Sequence, residues 1–189
     1  MTGLILTLLL VAVLGIYILV YNGLGQAVTQ VEQGWSGIEV QLKRRHDLVP
    51  DLVTAVKSAM RHENTIFERI LEARTEAIKA MAGHDPEAMG VAEAALAGSL
   101  KGLIAYVEDN PEITATGNIA TFQRQLEETE DQIAAARRLY NGNVQSLNAR
   151  IVTFPGNVVA AVHRFQPAKS FENSPADRAA IESRRPIDL

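Results

Sequence analysis

From Leu4 to Val20 the chain is one unbroken apolar run, LILTLLLVAVLGIYILV, and no Lys, Arg, Asp or Glu occurs before Glu32. A helix needs roughly 20 mostly apolar residues to cross a bilayer core of about 30 Å, and the stretch from Thr2 to Tyr21 supplies them. The core helix of a soluble protein would carry a polar stripe, which this run lacks. A cleaved signal peptide would show a basic amino end, an apolar stretch of about 7–15 residues and a small-residue cleavage site. Only Gly23-Leu24-Gly25 resembles the last of these. The pattern predicts a retained, single-pass transmembrane helix. Gly23 and Gly25 predict a flexible joint behind it, because glycine costs about 1 kcal/mol in a helix interior. Anchor and joint together take residues 1–25.

Residues 26–154 read as a bundle of long helices. Val28, Val31, Trp35, Ile38, Leu42, Val49, Leu52 and Val56 alternate at spacings of three and four, the stripe of a helix packed lengthwise in coiled-coil fashion. Arg45 stands where that stripe demands an apolar side chain. Either its head snorkels to the bundle edge or it is buried and paired, setting register between helices. Pro50 lacks an N–H and crowds the carbonyl of His46, yet the apolar register continues through it, which predicts a kink rather than a break. The pattern resumes to Met81 through Ile66, Phe67, Ile70, Leu71 and Ile78, with a second joint expected near residues 61–64. Asp85-Pro86 is a helix cap followed by a good first helical residue. The next helix, to about Val107, is expected to turn Val91, Ala95, Leu96, Leu100, Leu103, Ile104 and Val107 inward. After a break at Asn110-Pro111, the last long helix begins near Asn118. Its stripe is Ile119, Phe122, Leu126, Ile133, Ala136, Tyr140, Val144, Leu147 and Ile151, with Thr129 as the polar gap.

Phe154-Pro155-Gly156 closes that helix. Residues 155–165 predict a short amphipathic helix with Val158, Val159, Val162 and Phe165 on one face, either capping the bundle or forming a lipid or partner surface. Residues 166–189 lose periodicity and are expected to be disordered or ordered by a partner.

Charge and composition narrow the functions. The chain has 189 residues and a net charge of −4, with aromatics at 5%. That balance speaks against nucleic-acid binding. There is no cysteine, so disulfides, a lipoprotein anchor and a thiol nucleophile are all excluded. His46, His62, His84 and His163 lie in separate segments, so no metal-ligand spacing occurs. Phosphate-cradling glycine loops and a serine nucleophile elbow are absent. Glu127, Glu128, Glu130 and Asp131 crowd one helix, as solvated helix faces usually do. No cofactor, metal, catalytic residue or small-molecule substrate is indicated, and the chain reads as a non-enzyme. Glu130, Arg137, Asn141 and Asn148 line one polar stripe beside the apolar one. They would be exposed, or would form an interhelical polar seam with Arg45 facing Glu130. Trp35, Ile38, Leu42, Leu126, Ile133 and Tyr140 are the expected core of the two long stripes.

The order Tyr21-Asn22, Trp35, Ile38, then Leu42-Lys43-Arg44-Arg45-His46-Asp47-Leu48-Val49-Pro50 with Leu52-Val53, resembles the amino-terminal signature of the LemA family. Phe122-Gln123-Arg124-Gln125-Leu126-Glu127-Glu128-Thr129-Glu130, followed by Ile133, Arg137, Tyr140-Asn141, Val144, Asn148 and Phe154-Pro155, is similar to its second signature. The resemblance runs to about Phe171. The family's usual Tyr-Pro and Leu-Lys before the last helix are replaced by Asn110-Pro111-Glu112-Ile113-Thr114. The resemblance implies an all-α, membrane-tethered, up-and-down bundle of four long helices with no assigned activity.

The expected function is therefore a membrane-anchored, non-enzymatic scaffold or adaptor of the bacterial cell envelope. It would act through self-association, as a homo-oligomer, or through an unknown protein partner. A helix from Val28 to Met81, if continuous, would reach about 80 Å at about 1.5 Å per residue. One alternative is a membrane-remodelling or lipid-contacting protein using the Lys43-Arg44-Arg45 collar or the Val158–Phe165 face. Another is a regulatory partner of a membrane enzyme. The expected location is the bacterial cytoplasmic (inner) membrane. The first basic cluster, Lys43-Arg44-Arg45, falls just beyond the window of the positive-inside rule and leans the body to the cytoplasmic side.

Overall fold

The computed structural model describes residues 1–59, 64–110 and 119–171, and every regular element among them is a helix. Residues 61–63 of the expected joint (with His62), the loop at 111–118 and the tail from 172 lie outside the described residues, and Asn64 already belongs to a helix. The helices are α1 (Thr2–Ala59), α2 (Asn64–Ala82), α3 (Pro86–Glu108), α4 (Ile119–Val152) and α5 (Gly156–His163).

Two expectations about α1 meet different outcomes. The helix passes through Pro50, and Thr54 Oγ1 donates to the Pro50 carbonyl at 2.8 Å one turn later. It also runs as helix through Gly23 and Gly25, where a joint was expected. The apolar run and the packed helix that follows it are one element. Within it the large apolar side chains from Leu4 to Leu19 stand exposed, Tyr17 excepted, a disposition that suits lipid rather than water.

The molecule divides into two compact units. One comprises Met1–Leu48 with Thr121–Ser170, the other the described residues of Val49–Ala120 with Phe171. The first pairs α1 with α4 and α5. Gly34 meets Tyr140, Asn143 Nδ2 donates to the Gln30 carbonyl at 2.7 Å, and Arg150 Nη1 donates to the Gly23 carbonyl at 2.8 Å. Each step back along α1 is matched by a step forward along α4, so the two run antiparallel. The buried seam is Leu24, Ala27, Trp35, Ile38 and Leu42 from α1, and Leu126, Ile133, Tyr140, Val144 and Leu147 from α4; Leu24 and Ala27 lie outside the expected stripe, whose Val28 and Val31 are half-buried. A fully buried Leu or Ile contributes about 1.5–3 kcal/mol by leaving water.

The second unit packs α2 on α3, joined by the last turns of α1. Asp85 caps α3, accepting from the Glu87 N–H at 3.2 Å, with Pro86 as first helical residue. The inward face of α3 is Pro86, Met89, Glu93, Leu96, Leu100, Leu103 and Val107. Val91, expected inside, is 70% exposed, and Ala95 is exposed too. The true stripe contains an acid, Glu93, at a position where an apolar residue would be read. That substitution shifted the apparent phase of the helix. On α2, Phe67, Ile70 and Ala77 are buried, while Leu71 and Ile78 face outward.

Candidate functional site

The polar residues of the first unit separate into two groups along α4. Near its start, Arg45 is only 3% exposed and its Nη2 pairs with Glu130 Oε2. Burial of a guanidinium requires such a partner, since an uncompensated buried charge is strongly destabilising. Glu130 is itself 52% exposed, so its carboxylate keeps contact with water while serving the buried arginine. Arg44 pairs with Glu128 at 3.4 Å and Lys43 with Asp47 at 3.2 Å, while His46 is buried. The basic collar is thus neutralised by carboxylates of its own unit and is not a free cationic face. Thr129 is fully buried on the same stripe, and its hydroxyl donates to the Gln125 carbonyl at 2.6 Å. A buried hydroxyl satisfied by its own helix needs nothing from a neighbour.

Farther along α4 the polar side chains grip the chain that returns after α5. Asn148 makes a two-bond clamp on Ala168: its Nδ2 donates to the Ala168 carbonyl and its Oδ1 accepts from the Ala168 N–H, both at 2.9 Å. Tyr140 Oη donates to the Lys169 carbonyl at 2.8 Å. Tyr140 also meets Trp35 edge-on, ring centroids 5.6 Å apart, and its burial raises its pKa above the usual phenol value. Ala168 and Lys169, in a segment expected to be disordered or ordered by a partner, are thus held on α4. The expected single seam is therefore divided: Glu130 faces Arg45, Asn148 faces the returning chain, and Arg137 and Asn141 are half-buried between them.

The third constellation surrounds the exit of the apolar run. Val159 and Ala160 of α5 join Leu24, Ala27 and Leu147 in one buried cluster, with Tyr17, Val20, Ile151 and Phe165 packed against it. Val159 and Phe165 are thus committed inward, whereas Val158 and Val162 remain exposed, as do Val152 and Phe154. Tyr17 Oη and His163 Nε2 share a hydrogen bond of 2.7 Å. Tyr21 stacks obliquely on the His163 ring at 4.6 Å and meets Phe165 edge-on at 6.0 Å. Aromatic rings with a polar tip favour the bilayer–water boundary. Beside them lies an open cleft of about 360 Å³ lined by Leu19, Val20, Gly23, Leu24, Arg150, Thr153, Phe154, Pro155 and Gly156. Gly156 permits the sharp return into α5, because a Cβ there would fall 2.1 Å from the Arg150 carbonyl oxygen.

Asn143, Arg150, His163 and Gly34 were not singled out from the sequence. Their roles depend on which residues of a distant helix lie opposite, and no local pattern encodes that. Among the described residues no group of three or more His, Cys, Asp or Glu could hold a metal ion.

These features define a membrane-associated, all-helical protein whose apolar amino-terminal helix continues into a packed body. A sequence model of the LemA family matches residues 34–183, and the chain belongs to that family. It is 27% identical over 169 residues to the magnetosome proteins MamQ 1 and MamQ 2 of Paramagnetospirillum magneticum. Each match covers 77% of this chain and 62% of the relative, so the chain spans under two thirds of their length. It is also 23% identical over 195 residues to the magnetosome protein MamQ of Magnetospirillum gryphiswaldense, covering 91% of this chain and 72% of that protein.

Proposed function

We propose that this chain is a non-enzymatic scaffold or adaptor that holds a helical platform at a membrane and gathers copies of itself or a partner protein. The observation that carries this reading is the uninterrupted passage of α1 from an exposed apolar span into a packed helix. A flexible linker would let the body swing freely. Here Arg150 bonded to Gly23 and His163 bonded to Tyr17 hold the helix at two points near the end of the apolar run. Such a brace transmits the orientation of the span to the body, which is what a platform requires. The cytoplasmic membrane is the proposed location, with the body on the cytoplasmic side.

Crosslinking in native membranes followed by peptide mass spectrometry tests this directly. The scaffold reading expects intermolecular crosslinks from exposed faces of α2–α4, to a second copy or to one recurrent protein. A membrane-impermeant crosslinker applied from outside intact cells should leave those sites unmodified. Crosslinks confined to single chains, together with a monomer in detergent, would rule the scaffold out.

A further inference from the structure

The cleft at the exit of the span has a composition that the scaffold reading does not use. Its walls are apolar except for Thr153 and one cation, Arg150. One side is formed by Leu19 and Val20, the end of the exposed apolar run, so the cleft opens in continuity with a lipid-facing surface. The other side carries Phe154, which is 82% exposed. Val152, Val158 and Val162, on the neighbouring turns of α4 and α5, are exposed as well. A side chain as large as Phe154 held out in water is unfavourable; placed against acyl chains it is not.

Charge gives the second, independent argument. Residues 1–31 contain no Asp or Glu, and none occurs from Gln132 to Phe171 either. That second stretch nevertheless carries Arg137, Arg138, Arg150, Arg164 and Lys169. A chain that is acidic overall has an exclusively basic segment packed against the exit of its membrane span. Arg150 has five N–H donors in a planar fork, suited to phosphate oxygens, and Gly23 takes one of them.

We propose that this cleft seats one anionic phospholipid of the surrounding bilayer, its phosphodiester on the Arg150 guanidinium and an acyl chain along Leu19, Val20 and Phe154. The apolar walls exclude a small free phosphate as the natural occupant, because most of the cleft would then remain wet. A basic residue near an anionic surface adds attraction, so Arg164 strengthens the preference without touching the cleft.

The experiment uses the full chain in mixed micelles containing equal phosphatidylglycerol and phosphatidylcholine, with retained lipid counted by native mass spectrometry. A photoactivatable phosphatidylglycerol then maps the contact by peptide analysis. We expect selective retention of phosphatidylglycerol, with adducts on peptides containing Leu19–Leu24 or Arg150–Gly156. Arg150→Gln should lower that retention about tenfold, the loss of one charge-assisted contact, while Arg150→Lys keeps most of it. Phe154→Ser, at an exposed position that leaves the fold intact, should weaken retention of both lipids. Equal retention by wild type and a folded Arg150→Gln, adducts confined to other peptides, or displacement of the lipid by soluble glycerol phosphate would each overturn the proposal. Should Arg150→Gln not fold, unchanged retention by Phe154→Ser overturns it instead.

Discussion

Arg45 and Glu130 pair across α1 and α4, and we propose that this one pair sets the register of the two helices. Because Glu130 is half in water, its loss is screened, and Glu130→Gln should destabilise the fold by about 1–2 kcal/mol, below the range for a fully buried pair. A double-mutant cycle with Arg45→Met should show coupling of about 1 kcal/mol in denaturant unfolding; strictly additive losses would mean the pair does not interact. Tyr140 offers a test by pH. Its phenol is desolvated and its pKa raised, so the folded chain holds that proton to higher pH than the unfolded chain. The contribution of this group is therefore intact below about pH 10 and declines as pH rises beyond it. Tyr140→Phe should cost about 1 kcal/mol at pH 8, from the lost bond to Lys169. The gap to wild type should narrow at pH 10.5, and a gap that widens there would contradict the assignment. Gly34 is defined by space: a Cβ would lie 3.1 Å from Tyr140 Cα and 3.3 Å from Asn143 Nδ2. Gly34→Val should lose about 1–3 kcal/mol by forcing the helices apart, whereas Gly37→Ala, with nothing within 4 Å, should be neutral or stabilising by up to about 1 kcal/mol. Equal effects at the two glycines would refute close approach at Gly34.

At the scale of elements, what could be read from the sequence was the helix content and most of the buried faces. The stripes of α1 and α4 were visible because seven-residue spacing is a local signal, and Asp85-Pro86 marked the start of α3 for the same reason. The face of α3 was misread because Glu93 occupies a buried position and pushed the apparent stripe toward Val91 and Ala95. The clamp of Asn148 on Ala168 and the brace of Arg150 on Gly23 are tertiary pairings with no periodic trace. The Gly23–Gly25 joint was a propensity argument overridden by packing: α4 and α5 cover that segment of α1, burying Leu24 and Ala27. This has a testable consequence. A Cβ on Gly25 would meet nothing within 4 Å, so Gly25→Ala should raise the unfolding free energy by up to about 1 kcal/mol in a continuous helix. At a working hinge it would instead leave stability unchanged and impair function.

For the whole molecule, the membership in the LemA family and the all-helical fold agree with the sequence signatures at Leu42–Pro50 and Phe122–Glu130. The functional consequence rests on the mechanical link between span and body. Since the chain lacks cysteine, spin labels can be placed cleanly at Val13→Cys and Gln33→Cys, both on exposed positions of α1, and their separation measured by pulsed electron resonance in lipid nanodiscs. A continuous helix predicts a single narrow distribution near 30 Å, at about 1.5 Å per residue. A broad distribution, or one centred well below that distance, would show a hinge at the membrane surface and contradict the platform.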